Sequence, residues 1–226
     1  MTITHINTSA AVGANTGNIT LNAPAGPTIG DIWLAYVMNA ADPTATNMTM
    51  SGDWTEIFEG SAETQSRIGV WWHRYAGVTP SMLVTCTDGG GGGRQGRVAA
   101  FSGCKLIGTP VQVTGAANGD DSASVIHLGI TPVVANAAII AVSGVEQDIT
   151  YTTPTNYTVT GTFAGVFTGN DVAGAMFHRL NQPASATGNI TAAISGANHW
   201  TSILFALEEE PVAVSVFIIS MDEDLA

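Results

Sequence analysis

Ile32-Trp33-Leu34-Ala35-Tyr36-Val37 returns 106 residues later as Ala138-Ile139-Ile140-Ala141-Val142-Ser143. Each run is apolar almost throughout, carries no charge, and follows turn-forming residues, Gly30-Asp31 in one copy and Asn136 in the other. Short runs with such flanks read as strands. Similar blocks follow both runs in the same order. Asp53-Trp54-Thr55 answers to Asn156-Tyr157-Thr158 at an offset of 103. Gly69-Val70-Trp71-Trp72-His73-Arg74-Tyr75 answers to Gly174-Ala175-Met176-Phe177-His178-Arg179-Leu180 at 105. Leu83–Thr87 falls against Ile190–Ile194 at 107, and Ala99-Ala100-Phe101 against Phe205-Ala206-Leu207 at 106. A constant order at a nearly constant offset describes an internal repeat, with halves at roughly 30–103 and 136–208.

The remaining sequence agrees with this reading. β-Branched and aromatic segments bounded by Gly, Pro, Asn and Asp predict strands at 2–8, 17–22, 31–38, 54–58, 67–76, 82–87 and 96–102 in the first part. The second part predicts strands at 110–115, 124–130, 137–145, 156–160, 172–180, 189–194 and 199–208, with a last one at 212–220. No long stretch carries a capped 3.6-residue apolar period. The expected fold is an all-β, antiparallel sandwich of jelly-roll-like type, built from two similar five-strand halves. The connection 104–135 contains strands of its own. Residues 1–208 are therefore expected to form one continuous sandwich, followed by an acidic extension, 209–226, that adds one strand.

Composition narrows the function classes. Only 11% of the 226 residues are charged against 45% hydrophobic, which excludes a disordered chain and a helical bundle. Eighteen acids against six bases give a net charge of −12, and six of the acids (Glu208, Glu209, Glu210, Asp222, Glu223, Asp224) stand in the last nineteen positions. No basic stripe exists to neutralise phosphates, so nucleic acid is not an expected partner. No apolar run approaches the length of a membrane span, and Met1–Ala14 has neither the basic start nor the apolar run of a signal peptide. Synthesis in a cytoplasm, without export by a classical route, is expected. Cys86 and Cys104 fall too far apart in the expected hairpin to bridge and are read as free thiols.

Few residues present themselves as chemistry. Asp88–Arg97 is glycine-rich but lacks the lysine of a phosphate loop, and a strand follows it. It reads as a hairpin tip whose Arg94 and Arg97 are candidate surface contacts. His73-Arg74 and His178-Arg179 recur at aligned positions, either as repeated polar contacts or, as the reading favours, with each His filling a sheet face. Most of the tryptophans lie in aligned blocks, as core residues would. Trp71 alternates out of phase with Trp72, so it is taken as a candidate surface-binding residue. Glu56 and Glu59 are not marked as a glycosidase pair, and Asp120-Asp121 lacks a full calcium loop. No catalytic, cofactor or metal residue is expected. In the extension, Val212, Val214, Val216, Phe217, Ile218 and Ile219 belong to an apolar strand that needs a cover, either the edge of its own sheet or a neighbouring subunit, and in the second case they are candidate assembly contacts.

Three further segments carry a resemblance: Gly52-Asp53-Trp54-Thr55-Glu56, Ile68–Gly77 and Val98–Gly103, together with His199–Glu208 at the end of the second half. With Gly30–Ala35 they resemble a loose group of tailed-bacteriophage virion proteins built as duplicated β-sandwiches, over about residues 28–208. The resemblance implies a virion structural protein, a capsid decoration or tail-associated subunit that is not an enzyme. Its implied partners are other virion proteins and copies of itself in a homo-oligomer. A carbohydrate-binding or host-surface adhesion module is the alternative, which needs an exposed Trp71 or Trp200, and a virion-associated hydrolase ranks third.

Overall fold

The computed structural model describes residues 2–40, 47–62, 65–87, 92–168 and 170–211. The expected strand 212–220, with all six candidate assembly residues, lies outside the described residues. Within them the first half forms β1 (Thr4–Thr8), β2 (Val12–Ala14), β3 (Ile19–Thr20), β4 (Ile32–Asn39), β5 (Met48–Met50), β6 (Thr55–Gly60), β7 (Arg67–Arg74), β8 (Leu83–Cys86) and β9 (Arg94–Ser102). The second half forms β10 (Val111–Thr114), β11 (Asn118–His127), β12 (Ala137–Val145), β13 (Thr158–Gly165), β14 (Val172–Gln182) and β15 (Ile190–Leu207). Among the described residues there is no helix, so no helix is long and apolar enough to cross a membrane.

All named pairings are antiparallel and gather into a sandwich. One six-stranded sheet has the order β1-β9-β4-β7-β6 with β2 also on β9; the other has β10-β15-β12-β14-β13 with β11 also on β15. The two orders match strand for strand, and so does the register. Ile32 faces Phe101 and Ala138 faces Leu207; Tyr36 faces Val70 and Val142 faces Met176. Irregularities also recur, between Glu56 and Phe58 as between Val159 and Gly161, and between His5 and Asn7 as between Val111 and Val113.

Side-chain alternation distributes the two opening runs among three cores. Ile32, Leu34, Tyr36 and Met38 meet Ala138, Ile140 and Val142 between the sheets. Trp33, Ala35 and Val37 point the other way, under a cover made by the three-stranded sheet β3-β8-β5. Ile139 and Ala141 likewise point away from the first sheet, under Val125, Ile190 and Ala192 of β11 and the first part of β15. Both central strands are thus buried on both faces, which explains their unbroken apolar sequence. Each fully buried Ile, Leu or Val adds about 1.5–3 kcal/mol by leaving water. Ties between the sheets are polar as well: the Thr201 hydroxyl donates to the Ser66 carbonyl at 2.7 Å.

The register revises one alignment. At the offset that the central strands keep, His178 occupies the position of Trp72, and Arg179 that of His73. His73 accordingly turns outward to Trp33 and Trp54, with ring centres 6.4 and 5.4 Å away. His178 turns between the sheets to His5 and Phe101. Both imidazoles are buried in their sheet faces, and they are not a repeated pair of surface contacts.

Candidate functional site

Three loops and the end of β15 meet at one end of the first sheet. Residues 26–31 lead into β4, 75–78 leave β7, and 103–108 leave β9. Gly30 N–H donates to the Tyr75 carbonyl and Tyr75 N–H to the Asp31 carbonyl, both at 2.9 Å. Lys105 N–H donates to the Glu208 carbonyl and Glu210 N–H to the Gly103 carbonyl, again at 2.9 Å. Gly103 must be glycine: its φ is 72°, and a Cβ would lie 2.4 Å from the Thr2 carbonyl oxygen. The first and third of these loops, with Ile6 and Glu210, line a cavity of about 500 Å³ that includes Ile29, Asp31, Cys104 and Leu106.

Two carboxylates, Asp31 and Glu210, line the cavity beside Cys104. Asp31 is 5% exposed, and its carboxylate accepts the Thr28 N–H at 2.6 Å. Burial raises its pKa, and that hydrogen bond opposes the rise. Burial also pushes the Cys104 thiol up to about 12, against the pull of Arg74. A thiol so protonated is a poor nucleophile. Arg74 donates to the carbonyls of Gly30 at 3.4 Å and Gly108 at 3.1 Å, and it lies over Trp72 at 6.0 Å. Lys105 pairs with Glu208 at 2.9 Å, and the Glu210 carboxylate accepts the Leu106 N–H.

The rim, by contrast, is apolar and open. Ile29 is 72% exposed and Leu106 50%, with Val78 and Ile107 exposed beside them in the same loops. Gly77 and Gly30 bring these loops together: a Cβ on Gly77 would lie 3.3 Å from Ile29, and one on Gly30 3.0 Å from Leu106. These exposed aliphatic side chains stand in the two loops that line the cavity and in the neighbouring loop 75–78. Sequence reasoning missed this site. Its only signal was Ile or Leu beside Gly in loops, at Ile29-Gly30 and Leu106-Ile107-Gly108.

The residues singled out from the sequence are placed differently. Trp71 is 2% exposed and belongs to the core beneath β3-β8-β5, so it cannot bind a ligand at the surface. Arg94 is fully buried, donating to the carbonyls of Gly17 and Gly92, and is no surface contact either. Arg97 is half-buried and stands opposite Tyr36 across β4 and β9. Trp200 is fully buried and donates to the Ser122 hydroxyl at 3.2 Å. Neither cysteine is in a disulfide, and both are buried.

Elsewhere the carboxylates are held by the chain itself. Glu59 pairs with Arg67 at 2.5 Å and accepts the Met48 N–H at 3.0 Å. Burial raises the pKa of nearby Glu56, and the Glu59 charge adds to the rise. A polar depression is lined by Glu146, Asp148, Asn170 and Asp171, and Asn170 donates to Glu146 at 2.7 Å. Asp171 accepts the Phe167 N–H at 2.8 Å. Among the described residues, no three His, Cys, Asp or Glu side chains are placed to hold a metal ion. No family model, curated protein or solved structure matches the chain.

Proposed function

We propose that this chain is a structural subunit of a tailed-bacteriophage particle, a capsid decoration or tail-associated protein that works by protein–protein assembly. The observation that carries the assembly reading is the aliphatic rim of Ile29 and Leu106 around an otherwise satisfied cavity. The buried centres of assembly surfaces are richer in apolar side chains than their edges, and Ile29, Val78, Leu106 and Ile107 supply exposed aliphatic side chains of that kind. The particle reading rests on the sequence resemblance, and a charge-poor, β-rich chain without basic patches suits it. In this reading the halves descend from one duplicated unit, the chain is made in the host cytoplasm, and its partners are other virion chains and itself.

The glycan-binding alternative has lost its aromatic platform. Trp71 and Trp200 are buried, and the exposed large hydrophobic side chains among the described residues are aliphatic. Sugar faces stack on aromatic rings, which aliphatic side chains do not replace. The test is to band particles from the producing host on a density gradient and count this chain by quantitative mass spectrometry. Copies at a fixed ratio to the major virion protein are expected. Its absence from banded particles would overturn the proposal.

A further inference from the structure

Resting on that assembly reading, we infer that the cavity beside Ile29 and Leu106 receives the apolar run 212–219 of a second copy, each copy giving its run to the other. The lining supplies the first argument. Ile6, Ile29 and Leu106 form an aliphatic seat, and Gly30 and Gly103 leave its wall without side chains. About 500 Å³ lies within the roughly 300–1,000 Å³ of pockets that engulf ligands, enough for a few large side chains.

The run itself is matched to such a seat. In an extended strand Val212, Val214, Val216 and Ile218 share one side, and all four are β-branched aliphatics. Ala213, Ser215, Phe217 and Ile219 share the other.

Position favours a neighbour's cavity over the chain's own. Glu210 is fastened to the rim by its N–H on Gly103 and its carboxylate on Leu106. The exposed Pro211 follows, and a residue before proline is held extended. A return into the same cavity would need a tight turn next to the rim. Residues 212–219 contain no Gly, Asn, Asp or Pro, and Ser215 is their one side chain of a turn-forming type. Eight extended residues reach about 26 Å, and seating them on a neighbour needs no turn. Mutual exchange is two-fold and closes on itself, so it ends at a discrete oligomer. The acids Asp222, Glu223 and Asp224 beyond the run oppose further strand pairing.

The experiment is light scattering on the full chain over a concentration series, with Val216→Asp as a run variant and Ile29→Ser with Leu106→Ser as a cavity variant. Ile29 and Leu106 are at least half exposed, so the cavity variant keeps its fold, checked by circular dichroism. If Val216→Asp unfolds, Val214→Asp replaces it. The expected result is a dimeric unit in the unmodified chain, weakened about tenfold or more by either variant. Mixing the two variants should restore heterodimers, because one intact run then meets one intact cavity. A chain monomeric at every concentration overturns the inference, as does association that neither variant weakens or a mixture without recovery. Mutual exchange in a chain absent from particles would sink the phage reading alone. A particle-borne monomer would sink this inference alone.

Discussion

His5 on β1 and His178 on β14 hold their ring centres 5.2 Å apart across the space between the two six-stranded sheets. His178 Nδ1 lies 2.8 Å from the Thr160 hydroxyl, and His5 Nε2 lies 2.9 Å from the Thr8 hydroxyl. The Thr8 hydroxyl in turn donates to the Thr160 carbonyl at 2.7 Å. Four side chains from β1, β13 and β14 thereby form one polar stitch, with the Phe101 ring 5.3 Å from His5 and 5.8 Å from His178.

Mild acid should loosen this stitch. Burial lowers the pKa of His178 to about 4, the nearby His5 adding to the effect, and burial also lowers that of His5, against a backbone hydrogen bond at Asn7. Buried His127 is likewise lowered to about 4. A histidine whose folded pKa is depressed binds more protons when unfolded. Its contribution is full above the unfolded value of about 6.5 and is lost as pH falls from there toward the folded pKa. Between pH 7 and pH 5 the loss should reach about 1–2 kcal/mol for His178, read as a fall in urea midpoint. His178→Gln should make that fall smaller by the His178 share, leaving the part due to His127 and His5. An equal fall in the variant would show that the imidazole is not responsible.

Gly69 provides a sharper packing test. Its missing side chain is the seat of the Trp71 ring: a Cβ there would lie 2.0 Å from the ring edge. Gly69→Ala should therefore push Trp71 from its rotamer and cost about 1–3 kcal/mol. The reading is a denaturant midpoint with tryptophan fluorescence. An unshifted midpoint would mean that the ring has somewhere else to go.

That same Trp71 marks how far the fold was legible. The run Ile32–Val37 announced itself because its strand is buried on both faces, and its echo at Ala138–Ser143 located the second sheet. Trp71 was misread because a sandwich of two layers leaves outer faces open, and here β3-β8-β5 covers one of them. The cover includes Met48–Met50, too short a segment to stand out as a strand. Ile190–Leu207 was read as separate strands, but β11 pairs with it as far as Ser202 and β12 from Trp200 onward, so two overlapping partners hold it as one strand. The cavity stayed hidden for a different reason. Its walls come from 26–31, 103–108 and Glu210, and only tertiary closure brings them together.

The Thr201–Ser66 tie should be worth more than its size suggests. Besides donating to the Ser66 carbonyl, the Thr201 oxygen lies 2.7 Å from the Ser66 hydroxyl, and both residues are buried. Thr201→Val keeps the shape but strands those groups away from water, at a cost of about 1–3 kcal/mol. Adding Ser66→Ala should recover part of the loss, because it removes one stranded hydroxyl. Strictly additive losses in chemical denaturation would refute the coupling.

Cys104 offers the last prediction, at the floor of the candidate site. Its side chain belongs to a residue only 1% exposed, and its pKa is pushed up to about 12 by burial. Thiolate, the reactive form, is then scarce at neutral pH even where solvent reaches the cavity. Maleimide at pH 7 should leave Cys104 unmodified in the folded chain and label it fully in urea, as peptide mass spectrometry can show. Rapid native labelling would mean that the 103–108 loop opens readily. The cavity would then be a moving lid, and a preformed seat for a neighbour's strand would no longer explain its shape.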